Sequence, residues 1–88
     1  MQVRFLAKFN RDLNQIHLNS VKESIAILID EVKSTDSIQK IHNIKKLKGF
    51  RSAYRIRIGD YRIGVFVEGN HVDFARVLHR REIYRFFP

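Results

Sequence analysis

Apolar and polar positions change rhythm along this chain, and each rhythm predicts an element. Gln2 to Leu6 alternate loosely, with Val3 and Phe5 on one side, which predicts a short strand. From Ala7 to about Leu18, Phe9, Leu13 and Ile16 recur at helical spacing among polar neighbours, predicting a helix. Ser20 and Glu23 stand at capping-box spacing ahead of Val21, Ile25, Leu28, Ile29 and Val32. That apolar stripe predicts a second helix, with Asp30, Glu31 and Lys33 off the stripe. Two amphipathic helices joined near Asn19 make a hairpin to be laid on a flat surface. Ser34 to Ile44 has no period and reads as a loop with room for one helical turn.

The rest of the chain is β-patterned. Tyr54 to Ile58 alternates strictly, Gly59-Asp60 interrupts, and Tyr61 to Val67 resumes. Gly69-Asn70 then leads into Val72-Asp73-Phe74. Glycine first in a two-residue break is the type II′ hairpin signature, so three antiparallel strands form a meander. Beyond Phe74 the alternation fails, because Ala75, Val77 and Leu78 cannot all share a face. A bulge near Ala75–Val77 is expected.

The turn at Gly59-Asp60 fixes the register, and register fixes faces. Tyr54, Ile56, Ile58, Tyr61, Ile63 and Val65 share the face that must meet the helices. Arg55, Arg57 and Arg62 share the other, where Gly64, opposite Arg55, is expected to leave open space. Like charges facing each other across a sheet are destabilising. A merely solvated face would set Glu or Thr opposite Arg57. Gathered guanidiniums instead fit an anion, since arginine offers phosphate a bidentate donor.

Composition sharpens this reading. The 88 residues hold 17 Lys+Arg and 9 Asp+Glu, a formal charge of +8. Such a surplus attracts polyanions, nucleic acid first. One small domain fits that length, 1–88, burying roughly 60–65% of its unfolded surface. The absence of cysteine excludes disulfides, Cys-ligated zinc and thiol catalysis, and fits a reducing cytoplasm. No apolar run approaches the roughly 20 residues of a membrane span. Arg4 and Lys8 interrupt any signal-peptide core.

Further basic residues flank the arginine face. Lys45, Lys46, Lys48 and Arg51 precede it, and Arg76, Arg80, Arg81 and Arg85 follow, with His79 and Tyr84 among them. Together they compose a candidate phosphodiester site, in which charge stabilises a phosphorane and a ring stacks a base. His79 is the member whose residue type exchanges protons near neutral pH. The blander alternative makes it a histidine at the sheet end. Tyr84, like Phe86 and Phe87, could equally anchor the tail. His17, His42 and His71 lack metal-ligand spacing, and no H-E-x-x-H, Walker loop or G-x-S-x-G occurs.

Leu47-Lys48-Gly49, the run Tyr54-Arg55-Ile56-Arg57-Ile58-Gly59-Asp60-Tyr61-Arg62-Ile63, and Val77 to Arg85 together resemble the RelE branch of the RelE/ParE toxin superfamily. The resemblance spans essentially the whole chain. It implies an α+β fold, with a twisted, mainly antiparallel sheet of about four strands, the first strand joining it and both helices on one face. It implies a type II toxin: a ribosome-dependent endoribonuclease that cleaves mRNA in the A site and inhibits translation. Attack by the 2′-hydroxyl means that neither metal nor other cofactor is needed. It implies as partners the ribosome, mRNA and an acidic RelB-like antitoxin, with operator DNA reached only through that antitoxin.

Carried across by position, the site residues are Arg55, Arg57, Arg62, Arg80 or Arg81, and Tyr84. Well-studied members carry lysines at the positions of Arg55 and Arg57, and arginine is a poor base. Proton transfer would then fall to His79 or Arg81, or catalysis would rest on orientation and charge. Two other outcomes stand beside this: a ParE-like gyrase inhibitor, and a degenerate member that only binds its antitoxin.

Overall fold

A computed structural model describes all residues, 1–88. In chain order the elements are β1 (Gln2–Phe5), α1 (Ala7–Asn14), α2 (Asn19–Ser34), a 3-10 turn (Ile38–Lys40), β2 (Ile44–Lys46), β3 (Ala53–Ile58), β4 (Tyr61–Glu68), β5 (His71–His79) and α3 (Arg80–Phe86). The fold is α+β, as expected, built on one five-stranded sheet of order β1-β5-β4-β3-β2. β1 runs parallel to β5, and every other pair is antiparallel.

The register predicted for β3 and β4 is the one observed, with Ile58 against Tyr61, Arg57 against Arg62, Ile56 against Ile63, Arg55 against Gly64 and Tyr54 against Val65. Gly59 and Gly69 sit at φ +55° and +56°, while Asp60 and Asn70 stay outside the left-handed region, as type II′ turns require. The bulge is present too. Gly64 pairs with Arg76 but Val65 with Phe74, which leaves Ala75 as the extra residue. Phe74 and Val77 can therefore both enter the main core.

α1 and α2 cover one face of the sheet. Phe9, Ile25, Leu28 and Val32 meet Ile56, Ile63, Val65, Val72 and Phe74 there, all buried. Burying each such side chain is worth roughly 1.5–3 kcal/mol, so this layer dominates the stability. α1 also guards a sheet edge. β1 pairs only with residues 71–74, so β5 is uncovered beyond them. Asp12 fills that gap: its carboxylate accepts the Val77 N–H at 3.1 Å and two hydrogen bonds from the Arg76 guanidinium at 2.7 and 3.1 Å. No helix is long and apolar enough to cross a membrane.

Four expectations need correction. The sheet has five strands, because Ile44–Lys46, just where the aperiodic segment ends, pairs with β3. The first helix ends at Asn14, and Ile16 is buried from the following turn. α2 begins at Asn19 after Leu18 with no side-chain cap, so Ser20 is inside the helix and the capping box does not form. Helices also occupy both faces. α3 packs on the side opposite α1 and α2, where Ile83 and Phe87 join Ala53 and Ala75 in a second small core.

Candidate functional site

Strand alternation carries Arg55 and Arg57 from β3, and Arg62 from β4, onto the face away from α1 and α2. They line a groove of about 360 Å³ with Asn43, Ile44, Lys45 and Tyr84. Lys45 arrives because β2 pairs it with Arg55. Tyr84 arrives because α3 folds back over the sheet.

Each arginine is held without a countercharge. Arg62 donates to the carbonyl oxygens of Gly59 and Tyr61, both at 2.9 Å, so the hairpin turn fixes its guanidinium. Arg57 donates to Asn43 Oδ1 at 3.4 Å, and its backbone N–H to the Asn43 carbonyl at 3.1 Å. The Arg55 guanidinium lies 4.4 Å from the centre of the Tyr84 ring, a cation–π contact. The ion pairs of this chain lie elsewhere, at Arg4–Asp73, Lys40–Asp36 and Arg76–Asp12. Cations left unpaired on a shaped surface retain their attraction for an anion from solution.

Not every predicted member reaches the groove. Gly64 leaves no open space beside Arg55, because a Cβ there would stand 2.5–2.6 Å from the Phe87 ring. The anion space lies instead toward Asn43, Lys45 and Tyr84. Arg76 is committed to Asp12, whose hydrogen bonds raise its pKa above the ordinary arginine value. His79 pairs with Tyr61 in the ladder and packs edge-on against that ring at 5.8 Å, on the face opposite the arginines. Its Nδ1 accepts the Arg81 N–H at 3.2 Å and so caps α3. The structure thus puts His79 at the sheet end, outside the groove lining.

Arg80 and Arg81 are exposed on the first turn of α3, outside the groove lining, and Arg85 lies against the Phe86 ring at 5.3 Å. Lys46 pairs with Tyr54 and so belongs to the opposite face, its Nζ donating to the Phe50 carbonyl at 3.4 Å. Lys48 lines a neighbouring depression, and Arg51 is exposed in the same loop. Tyr84 is 67% exposed and does not anchor the tail. Phe87 does, and Phe86 remains half-exposed.

Asn43 is the groove member that the sequence did not disclose. It sits at φ +59°, a conformation asparagine tolerates better than most residues. The one available signal was an asparagine just before an isoleucine-lysine pair, too common to single out.

Comparison with known proteins places this arrangement. Residues 3–84 match the family model described as the ParE toxin of type II toxin-antitoxin system, parDE. Toxin RelE3 of Methanocaldococcus jannaschii is 40% identical over the full length of both chains. The chain belongs to the RelE branch of the RelE/ParE toxin family. Among solved structures, the RelB-RelE antitoxin-toxin complex from Methanococcus jannaschii superposes with TM-score 0.82 and 39% identity, over 96% of this chain and 98% of that one. The archaeal RelE-RelB complex from Pyrococcus horikoshii OT3 shares the fold at TM-score 0.69 and 18% identity, over 90% and 93% of the two chains. In this RelE-type chain, then, the unpaired arginines occupy the part of the outer sheet face that α3 leaves uncovered.

Proposed function

We propose that this RelE-type chain cleaves mRNA in the ribosomal A site, and that it is silenced by a RelB-like antitoxin. One observation carries the reading: Arg55, Arg57 and Arg62 surround a groove that no carboxylate enters, with the exposed Tyr84 ring beside it. In the reaction, the 2′-oxygen of one nucleotide bonds to the adjacent phosphorus. The bond from phosphorus to the 5′-oxygen breaks, and that oxygen leaves protonated, with a 2′,3′-cyclic phosphate behind it. The nucleophile belongs to the substrate, so the chemistry requires no metal-bound water.

The guanidiniums offset the charge that gathers on the phosphorane, and in a water-poor site one such donor is worth about 10²–10³ in rate. Tyr84 stacks a base of the codon. Arginine is no base at neutral pH, and His79 is turned to the other face with Nδ1 engaged. Alignment of the 2′-hydroxyl and charge stabilisation therefore carry the acceleration. Lys45 and the exposed Lys48, Arg51, Arg80, Arg81 and Arg85 supply a surrounding positive field for ribosomal RNA, so binding weakens steeply with salt.

The net charge of +8 supports an acidic antitoxin, and the matched archaeal structures are complexes of RelE with RelB. Operator DNA is contacted through that antitoxin. A cytoplasmic location goes with this reading.

The test is expression of the chain alone, with mRNA 3′ ends mapped on ribosomes. Breaks within A-site codons that vanish in Arg57→Ala support the reading. Intact mRNA with inhibited gyrase supercoiling would replace it by the ParE-like activity. Growth without arrest would leave an antitoxin-binding relative that has lost catalysis.

A further inference from the structure

Tyr84 divides two depressions, and only one of them is the arginine groove. The second, of about 340 Å³, shares Arg55 and Tyr84 with the groove, but its remaining wall is Leu47, Lys48, Phe50 and the Phe87-Pro88 end of the chain. Phe50 is 49% exposed here, and of the rings this chain turns to solvent only Phe50 and Tyr84 line this depression.

The exposure is built into the loop. Phe50 donates its N–H to the Leu47 carbonyl at 3.4 Å, and Gly49 between them sits at φ +82°, the value that the third position of a type II turn demands. The Leu47 N–H donates to the Ala53 carbonyl at 2.9 Å, and Lys46 Nζ reaches the Phe50 carbonyl at 3.4 Å. The turn thus presents the ring rather than leaving it to wander.

We propose that this depression is a nucleobase subsite, with Phe50 as its stacking platform. Its ligand is an unpaired base of the same RNA strand, adjacent to the nucleotide that lies against Tyr84; the inference rests on the proposed RNA cleavage. An apolar floor under a cationic rim of Lys48 and Arg55 suits a π face attached to a phosphate. No acidic side chain lines either depression, so an RNA strand can pass from one to the other without meeting repulsion. Two platforms, Tyr84 and Phe50, would hold neighbouring bases apart and present the phosphate between them to the arginines.

The test titrates the full-length protein with an RNA trinucleotide carrying a 2′-O-methyl group at the scissile position, so that it binds without being cut. 2-Aminopurine is placed at each base in turn, and its fluorescence falls on stacking. One position is expected to be quenched by wild type and by Phe50→Tyr but not by Phe50→Ala. Phe50→Ala should weaken binding by about 10-fold, the worth of one stacked base. An abasic residue at that position should cost wild type the same and cost Phe50→Ala nothing more. Wild-type affinity and quenching in Phe50→Ala would overturn the subsite. So would a variant unchanged toward RNA but weakened toward an acidic protein partner, which would make Phe50 a protein contact. Cleavage by Arg57→Ala separates the two levels: if it cuts mRNA on ribosomes as wild type does, the proposed function itself fails, whereas a silent Phe50 with cleavage lost in Arg57→Ala removes the subsite alone.

Discussion

The Phe87 ring lies so close to Gly64 that a single added methyl would come within 2.5 Å of it. That contact seats the chain end which holds Tyr84 over the groove. Gly64→Ala is expected to cost about 1–3 kcal/mol through overpacking and to lower cleavage by loosening Tyr84. Adding Phe87→Ala to Gly64→Ala should cost clearly less stability than Phe87→Ala costs in the wild type, because the clash goes with the ring, and cleavage should not return. Thermal melts and ribosome cleavage assays on the three variants check both halves.

Arg57 and Arg62 face each other across β3 and β4 with no countercharge between them. Replacing either by alanine removes a repulsion, so stability should hold or rise slightly. Activity should fall by about 10²–10³. Arg57→Lys should keep part of it, since a point charge replaces a fork. A combined loss of fold and activity would mean that these arginines serve structure instead.

Asp12 ties three things at one edge: α1, the Arg76 guanidinium and the Val77 amide. Asp12→Ala leaves a cation and a backbone N–H unpaired next to the core. The expected cost is about 3 kcal/mol, with a fall in Tm on the order of 15 °C for a domain of this size. Differential scanning calorimetry reads this directly. Since the groove is remote from Asp12, activity at low temperature should persist.

Hydrogen bonds from Arg4 hold the Asp73 carboxyl below the ordinary aspartate value. A depressed carboxylate stabilises the fold above its unfolded pKa, and the benefit is lost as pH falls through the lower folded value. Acid unfolding of Arg4→Ala should therefore begin at a higher pH than that of the wild type. The stability curves should run parallel and farthest apart near neutrality and converge in acid once Asp73 is protonated, which denaturant melts followed by circular dichroism across pH 2 to about 7 would show.

His79 caps α3 through Nδ1, a duty that asparagine also performs. His79→Asn is expected to keep cleavage within about threefold of wild type, and His79→Ala to weaken α3 by about 1 kcal/mol. A large loss of activity in His79→Asn with the fold intact would reinstate it as a proton-transfer residue.

What the residues disclosed depended on how locally each feature is specified. The Gly59-Asp60 turn and the alternation on either side of it contain the whole register of β3 and β4, and the broken alternation after Phe74 contains the bulge. The shared face of Arg55, Arg57 and Arg62 follows from those alone. β2 is three residues long and takes its shape from β3, so no periodic signal precedes it. α3 buries only Ile83 among its own residues, too little to mark a helix amid arginines. The space expected at Gly64 was wrong for a related reason. A glycine opposite a long side chain announces close approach, but not whether the visitor is a ligand or, as here, a ring from the same chain. The direction of His79 was open for the same kind of reason, because the exact place of the bulge, at Ala75, sets the parity of everything after it.

The parallel pairing of β1 with β5 sets a timetable for synthesis. Residues 2–5 emerge well before their hydrogen-bonding partners, residues 71–74. Contacts so distant in sequence close slowly. Tyr84 and Phe87 come later still, so the arginine groove gains its aromatic wall only after every strand of the sheet has been translated.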